Sequence, residues 1–261
     1  MTDKNFLDLY GPVAMVTGAS SGIGKSFAEQ LAEKGLDLVL VARRRQRLDE
    51  IAAELHPKYA TSVTVCEADL SKPSAVPTIF ESSKGLDVGL VVSNAGFSIK
   101  GEYAQQDAQQ LSGMLTVNCH IPMLLTHSFV PQLQARGKGG IIFTSSVESL
   151  MGCPFSTAYS ATKSFVKNLG EGLWGELVSD GIDVLTICPG ATDTEALAGS
   201  GVDVAKMDNV MSPDEVAKLS LESIKNGPVF ICSEHYKGLF EHLASMPRRD
   251  ALMAMAKGMK Q

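Results

Sequence analysis

The chain has 261 residues, 44% of them hydrophobic and 20% charged, so it can bury a large core and is not expected to be disordered. The formal net charge is -6, and the only dense group of basic residues is Arg43, Arg44, Arg45 and Arg47, which argues against nucleic acid as a partner. No apolar run reaches the roughly 20 residues of a membrane-spanning helix, and residues 1–10 lack an apolar signal core. We therefore expect a cytoplasmic protein without a membrane span.

Cysteine usage points the same way. The five cysteines are far apart in the sequence and form no Cys-x-x-Cys pair. They are Cys66, Cys119, Cys153, Cys188 and Cys232. This spacing predicts reduced core residues and no metal site.

Short β-rich runs alternate with helical patterns along the chain. The runs predicted as strands are Val13–Thr17, Asp37–Ala42, Ser62–Cys66, Val88–Ser93, Gly140–Thr144, Ile182–Cys188 and Val229–Cys232. The helical patterns are Ser26–Lys34, Gln46–Leu55, Ser74–Ser83, Asp107–Ala135 and Thr157–Val178, followed by a C-terminal helical region. Several of the strand runs are apolar on both faces, which is typical of a parallel sheet covered by helices on each side. The pattern predicts one doubly wound α/β domain over residues 1–261, with about seven parallel strands.

The first predicted strand leads into the glycine-rich segment Thr17-Gly-Ala-Ser-Ser-Gly-Ile-Gly24, and an amphipathic helix follows. Glycines allow a tight turn and a close approach of the backbone to a pyrophosphate, which the N–H groups of the helix N-terminus attract. The spacing Gly-x-x-x-Gly-x-Gly departs from the Gly-x-Gly-x-x-Gly dinucleotide fingerprint, and a plain strand-to-helix turn is the alternative. Its place directly after the first strand favours dinucleotide binding.

The second predicted strand ends at Val41-Ala42-Arg43-Arg44, where an NAD enzyme usually has an acidic residue for the ribose 2′-hydroxyl. Arginine instead offers a planar fork that suits a phosphate. The two arginines therefore predict a preference for NADP(H) over NAD(H). A solvated basic turn is the alternative.

Tyr159 and Lys163 are four residues apart in a predicted helix, so both side chains lie on one face. A phenol has a pKa of about 10, and a neighbouring ammonium lowers it by stabilising the phenolate. The same spacing also occurs on exposed helix surfaces. Thr144-Ser145-Ser146 and Asn94-Ala95-Gly96 follow the fifth and fourth strands, at the sheet edge where open α/β sheets bind their ligands.

These four motifs occur in the same order in the short-chain dehydrogenase/reductase family, which the sequence resembles from about Val13 to Thr194. The resemblance implies a Rossmann-like fold and an NADPH-dependent oxidoreductase that acts on CH–OH groups and the corresponding carbonyls. Tyr159 would be the general acid/base, Lys163 would lower its pKa and bind the nicotinamide ribose, and Ser146 would hydrogen-bond the substrate carbonyl.

Ser146 is preferred over Ser145 because it lies at the family's usual offset of thirteen residues from the tyrosine. Asn118 matches the family's helix asparagine, whose main-chain carbonyl holds a relay water beside the lysine. Pro122 has no N–H to bond that carbonyl, which would leave it free for water. A simple proline kink is the alternative.

The resemblance also implies the residues that contact the cofactor. They are Gly18, Ser20, Ser21, Gly22, Ile23, Gly24, Arg43, Arg44, Asp69, Leu70, Asn94, Ala95, Gly96, Tyr159, Lys163, Pro189, Gly190, Thr192 and Thr194. Asp69 would lie near the adenine, but it is equally well explained as the acidic residue of a helix N-terminus.

The substrate is expected to contact side chains near the carboxyl ends of the strands and a segment from Glu195 to Val210, interpreted as a mobile lid or an ordinary surface excursion. The side chains are Phe97, Glu148, Leu150, Met151 and Phe155. The apolar Phe, Leu and Met side chains in this set favour a hydrophobic ketone or aldehyde. The segment Tyr10-Gly-Pro-Val-Ala14 before the glycine-rich turn, and Gly24-Lys25 at its end, are similar to the corresponding segments of steroid and 3-oxoacyl thioester reductases.

Other functions remain open at this point. A non-catalytic NADP(H)-binding redox sensor would share the fold and the cofactor site. Relatives that modify nucleotide sugars are usually longer. The two long predicted helices carry apolar residues that would be exposed in a monomer, so a homodimer or homotetramer is expected.

Overall fold

The structure is a computed structural model that describes residues 3–199 and 208–259. Its centre is a sheet of seven parallel strands in the order β3-β2-β1-β4-β5-β6-β7. The strands are β1 (Val13–Thr17), β2 (Asp37–Ala42), β3 (Val63–Glu67), β4 (Val88–Ser93), β5 (Gly139–Thr144), β6 (Ile182–Cys188) and β7 (Val229–Ile231). The predicted seven-stranded parallel sheet is confirmed.

Helices cover both faces of the sheet. They are α1 (Asp3–Tyr10), α2 (Gly22–Glu33), α3 (Arg45–Tyr59), α4 (Ala75–Ser82), α5 (Ala108–Leu115), α6 (Ile121–Arg136), α7 (Thr157–Leu177), α8 (Glu195–Ala198), α9 (Pro213–Glu222), α10 (Glu234–Ser245) and α11 (Arg248–Met259). None of the helices within residues 3–199 and 208–259 is long and apolar enough to cross a membrane.

The two faces of the sheet build separate cores because successive side chains of a strand point to opposite sides. In β1, Ala14 and Val16 pack into the core that includes Phe27 of α2, whereas Val13 and Met15 pack into the core that includes residues of α4 and α6. All five residues of β1 are buried, which explains the continuous apolar run in its sequence.

The N-terminal helix α1 was not predicted from the sequence. Phe6 and Tyr10 are one helical turn apart and are both buried. The hydroxyl of Tyr10 donates a hydrogen bond to Asp183 Oδ2 in β6 at 2.6 Å, and Lys138 Nζ donates to the carbonyl of Asp8 at 2.8 Å. These contacts attach α1 to the end of the sheet opposite the predicted site.

The long helical stretch predicted for Asp107–Ala135 is continuous in the structure, but it is not α-helical throughout. Residues Thr116–His120 form a π-helical turn between α5 and α6, in which the Ile121 N–H donates to the carbonyl of Thr116, five residues earlier. The next residue, Pro122, has no N–H and cannot form the α-helical bond to the carbonyl four residues before it. The interruption therefore lies where the proline breaks the regular ladder.

Helix α7, which carries Tyr159 and Lys163, lies very close to the sheet. A Cβ atom at Gly170 would overlap Thr186 Oγ1 of β6, so this approach requires glycine at position 170.

The order of the strands determines where a ligand crevice can form. The chain runs outward from β1 through β2 and β3, then returns so that β4 lies on the other side of β1, which opens a crevice at the carboxyl ends of β1 and β4.

Candidate active site

Three polar side chains connect the carboxyl ends of β1, β4 and β5. Thr17 Oγ1 accepts hydrogen bonds from the N–H groups of Asn94 at 3.0 Å and Ala95 at 3.1 Å. The Asn94 amide donates to the carbonyl of Thr17 at 3.1 Å, and Thr144 Oγ1 donates to Asn94 Oδ1 at 3.2 Å. The loop after β4 is therefore held in one position between its neighbouring strands.

The glycine-rich turn after β1 has no space for larger residues. Gly18 has a φ of +70°, and a Cβ atom at Gly24 would overlap the Gly18 carbonyl. Ser21 is the N-cap residue of α2, but its side chain forms no capping hydrogen bond. The turn therefore presents N–H groups of a helix N-terminus that this side chain does not satisfy, a suitable environment for a phosphate.

Both predicted cofactor arginines lie at the carboxyl end of β2 and are exposed. Arg44 donates from Nε and Nη2 to Ser20 Oγ at 3.2 and 3.1 Å, and from Nη1 to Glu195 Oε2 at 2.8 Å. Hydrogen bonds from Ser71, together with the charge of Arg43, lower the pKa of Asp69. In the structure Asp69 therefore stabilises the turn after β3 and lies six residues before α4, so it is not the acidic residue of a helix N-terminus. Its contact with the adenine stays a prediction.

The two serines after β5 have different roles. Ser145 is buried, and its Oγ donates to the carbonyl of Lys163 at 2.7 Å, which fixes α7 to the sheet edge. Ser146 Oγ accepts a hydrogen bond from the Glu148 N–H at 3.2 Å. This bond uses the oxygen of Ser146 as an acceptor and leaves its hydroxyl hydrogen available as a donor.

Lys163 is 4% exposed and lies beside Tyr159. Its Nζ donates to the carbonyl of Thr144 at 2.8 Å and lies 5.7 Å from the centre of the Tyr159 ring. A Cβ atom at Gly96 would come within 3.1 Å of this Nζ, so glycine leaves the space that the ammonium needs. Burial lowers the pKa of Lys163 to about 8, because removal from water disfavours the charged form.

The pKa of Tyr159 shifts in the opposite direction. Burial raises it, the negative charge of Glu148 raises it further, and a hydrogen bond with Ser146 acts against both. The expected lowering of this pKa by Lys163 is not the net result in the structure, because desolvation of the phenolate dominates. Tyr159 is therefore a protonated phenol at neutral pH and is suited to donate a proton.

Asn118 lies in the π-helical turn, and its side chain joins two parts of the site. Its amide donates to the carbonyl of Phe97 at 2.9 Å and to Thr162 Oγ1 at 3.0 Å, and its Oδ1 accepts from the Phe97 N–H at 3.1 Å. These bonds tie the loop after β4 to α7. The relay role of the Asn118 main-chain carbonyl stays a prediction.

An ion pair that the sequence did not indicate lies near Tyr159. Lys100 Nζ and Glu148 Oε1 form an ion pair at 2.9 Å, with side chains only 23% and 17% exposed. The N–H of Gly101 also donates to the carbonyl of Phe155 at 2.7 Å. Together these contacts join the loops after β4 and β5. Lys100 gave no signal in the sequence because its partner is 48 residues away.

The end of β6 is covered by Tyr236 of α10, whose place at the site the sequence did not indicate. A Cβ atom at Gly190 would overlap the Tyr236 ring, so the Pro189-Gly190 segment and α10 are in direct contact. Thr192 Oγ1 donates to the Gly190 carbonyl at 3.2 Å, and Thr194 Oγ1 accepts from the N–H of Leu197 at 3.2 Å in α8. These side chains hold the segment after β6 in a fixed arrangement.

Other predicted residues lie on the core side of the site. Leu70 is buried, Ile23 packs against the core beneath the glycine-rich turn, and Met151 is 3% exposed in a cluster with Phe240. Of the predicted lid, residues 195–210, the part from 200 to 207 lies outside the described residues.

Comparison with known proteins decides the family. Residues 12–204 match the family model described as short chain dehydrogenase. The chain belongs to this family. A 7beta-hydroxysteroid dehydrogenase of Clostridium sardiniense is 28% identical over 254 residues, 97% of this chain and 97% of that protein. The family and the enzyme class predicted from the sequence, an oxidoreductase acting on CH–OH groups, are confirmed.

Two further comparisons extend this similarity. A very-long-chain 3-oxoacyl-CoA reductase of Neurospora crassa is 37% identical over 179 residues, 67% of this chain and 54% of that protein. A solved structure of a short-chain dehydrogenase from Sphingobium yanoikuyae in complex with NADPH has a TM-score of 0.83 and 33% identity, covering 94% of this chain and 96% of that one. Similarity to this short-chain dehydrogenase therefore extends over nearly the whole chain.

The buried ammonium of Lys163 makes stability depend on pH. Its pKa of about 8 in the folded protein lies below its ordinary value of 10.5, so the unfolded chain binds the additional proton between these values and folding becomes more favourable as pH rises. Lys163→Met removes this effect. Between pH 7 and pH 9.5, we expect the free energy of unfolding of the wild type to rise by about 2 kcal/mol relative to that of Lys163→Met. Urea denaturation of both proteins at the two pH values measures this difference.

Lys84→Met is the matched control, because the Lys84 side chain is 69% exposed. Its difference from the wild type should be constant over the same pH range. A constant difference for Lys163→Met as well would contradict the burial of a titrating ammonium at the site.

Proposed function

We propose that the protein is an NADPH-dependent oxidoreductase that interconverts a bulky hydrophobic ketone or aldehyde and its alcohol, with Tyr159 as the acid/base. The observation that carries this proposal is the arrangement at the carboxyl edge of the sheet. Ser146, Tyr159 and Lys163 lie there together, beside the crevice between β1 and β4. Support also comes from the relatives that act on hydroxysteroids and on very-long-chain 3-oxoacyl-CoA.

The described residues fit a dinucleotide with a 2′-phosphate. The turn from Gly18 to Gly24 has room for backbone contact with a pyrophosphate at the N-terminus of α2. Arg44, with Arg43 beside it, would hold the 2′-phosphate through its guanidinium fork. Lys163 would hold the nicotinamide ribose, and the segment from Pro189 to Thr194 would hold the carboxamide. The NADPH complex of the Sphingobium relative supports this fit.

The substrate oxygen would lie between the hydroxyls of Ser146 and Tyr159. Ser146 has its oxygen occupied by the Glu148 N–H, so it would donate its hydrogen to the carbonyl and polarise it. Tyr159, protonated at neutral pH, would transfer its proton to the same oxygen as the alcohol forms. Lys163 would then stabilise the phenolate with its ammonium. A bound nicotinamide supplies the hydride, which is the part of the chemistry that the protein does not carry.

The surroundings of the site favour an apolar substrate. Leu150 follows the turn after Ser146 and packs with a cluster that includes Met246, Leu252 and Met255 from the C-terminal part of the chain. Across the site, Phe97 is 37% exposed. A substrate with a large hydrophobic body can bury this surface, since each square ångström of apolar surface removed from water contributes about 25 cal/mol.

Tyr159→Phe tests the catalytic role. NADPH consumption is measured with a panel of ketones, aldehydes, steroids and 3-oxoacyl thioesters. The variant should lower kcat by about 10²- to 10⁴-fold, because the proton donor is lost, while the Kd for NADPH changes by less than about twofold. Tyr103→Phe is the control, since Tyr103 is 59% exposed, and it should retain activity.

Two results would contradict this role for Tyr159. Turnover that survives in Tyr159→Phe would assign the proton transfer to another group. Tight NADPH binding by the wild type without turnover of any compound would instead support a non-catalytic redox sensor.

Arg44→Ala tests the cofactor preference. The wild type should bind NADPH more tightly than NADH in a direct calorimetric titration. Loss of hydrogen bonds to a charged phosphate should weaken NADPH binding by about tenfold or more and NADH binding by less than about threefold. Arg47→Ala, which removes an exposed guanidinium from the first turn of α3, three residues after Arg44, is the control. Tighter binding of NADH by the wild type, or an equal loss for both cofactors, would refute the preference.

We also propose that the protein forms a homodimer or homotetramer through helices α5, α6 and α7. Large apolar side chains are exposed on these helices: Leu115 at 57%, Phe165 at 40%, Met123 at 38% and Leu124 at 36%. Burial of such a patch favours association. Light scattering should show an oligomer that Leu115→Glu with Phe165→Glu dissociates, and a monomeric wild type would refute it. A single domain over residues 1–261 and a cytoplasmic location stay predictions.

A further inference from the structure

Arg44 is already engaged by two groups of the protein. Two nitrogens of its guanidinium, Nε and Nη2, donate to Ser20 Oγ, and Nη2 also approaches the carbonyl of Ser20 at 3.3 Å. The third nitrogen, Nη1, donates to Glu195 Oε2 at 2.8 Å. Glu195 is 151 residues from Arg44 and begins α8, after the sixth strand. The ion pair therefore connects the segment after β6 to the end of β2.

The segment that carries Glu195 also contacts the glycine-rich turn. A Cβ atom at Gly22 would lie 2.9 Å from Thr194 Cγ2, and Thr194 itself caps α8 through the N–H of Leu197. Residues 194–197 are thus fixed against the turn on one side and paired with Arg44 on the other. This places a carboxylate at the guanidinium that a cofactor 2′-phosphate would use.

We propose that Glu195 is a residue that determines cofactor specificity, because its carboxylate and the 2′-phosphate of NADP(H) compete for Nη1 of Arg44. This inference rests on the proposed NADPH site. NADP(H) binds by exchanging the carboxylate for a phosphate, and α8 loses its ion pair with the end of β2. A cofactor without the 2′-phosphate leaves the ion pair intact. Glu195 therefore reduces the preference for NADP(H).

The charges favour such an exchange. A phosphate monoester carries a charge between about -1.5 and -2 at pH 7, so it repels a carboxylate held at the same guanidinium. The side chains of Arg44 and Glu195 are 43% and 58% exposed, and solvent screens ion pairs of this kind strongly. Removal of the competing carboxylate should consequently strengthen binding of a 2′-phosphate by about three- to fivefold at low ionic strength.

The test uses cofactor fragments and needs no turnover. Adenosine 2′,5′-bisphosphate and adenosine 5′-monophosphate are titrated by calorimetry into the full chain and into Glu195→Gln. The bisphosphate should bind the variant about three- to fivefold more tightly, and the monophosphate should bind both proteins equally. In an Arg44→Ala background, Glu195→Gln should have no effect on either fragment.

Asp193→Asn is the matched control. It removes the same charge two residues away, from an exposed side chain for which the described residues show no pairing with Arg44. It should improve bisphosphate binding by much less than Glu195→Gln. An equal improvement would show a general charge effect and overturn the competition.

The failures of the two proposals are distinguishable. If Arg44→Ala weakens the bisphosphate but Glu195→Gln leaves it unchanged, or improves both fragments equally, the competition is wrong and the NADPH site stands. If the wild type binds the bisphosphate no better than the monophosphate, or Arg44→Ala has no effect, the proposed 2′-phosphate site fails and the role of Glu195 fails with it.

Discussion

A hydrogen-bonded chain of Thr17, Asn94 and Thr144 connects the carboxyl ends of β1, β4 and β5. The glycine-rich turn and the Lys163 ammonium both lie beside it. The strand order makes these side-chain bonds necessary. The connections leave β1 and β4 in opposite directions, which opens a crevice at their carboxyl ends, and the side-chain hydrogen bonds join the strand ends there. Thr144 contributes its hydroxyl to the chain and its carbonyl to the Lys163 ammonium. The crevice and the catalytic helix are thereby held by the same strand end.

Burial moves the two titratable groups of the site in opposite directions. The pKa of Lys163 falls to about 8 and that of Tyr159 rises, since both groups lose solvation of their charged forms. Groups whose environments separate their proton affinities in this way are typical of acid/base sites. Glu148 acts on both hydroxyls of the site. Its N–H donates to Ser146 Oγ, and the charge of its carboxylate raises the pKa of Tyr159. The loop after β5 therefore orients one hydroxyl and keeps the other protonated.

Local sequence signals predicted most of the fold. The bounds of β1, β2, β4 and β6 agree with the predicted runs because strands buried on both faces read as continuous apolar segments. Motifs that act within a few residues, such as the glycine-rich turn, were also visible. The π-helical turn could not be predicted from the sequence, although Pro122 marked its position. A proline in a helix can produce a kink or a π-helical turn, and the packing around the proline decides between them. Contacts such as Lys100 with Glu148 and Arg44 with Glu195 join distant segments and leave no periodic trace in the sequence.

A crystal structure of the protein with NADP⁺ and a product alcohol bound would test the proposed site most directly. We expect the alcohol oxygen within hydrogen-bonding distance of the hydroxyls of Tyr159 and Ser146, with the 2′-phosphate on Arg44 and the pyrophosphate at the N-terminus of α2. A dinucleotide bound outside the crevice, or an alcohol that contacts neither hydroxyl, would contradict it.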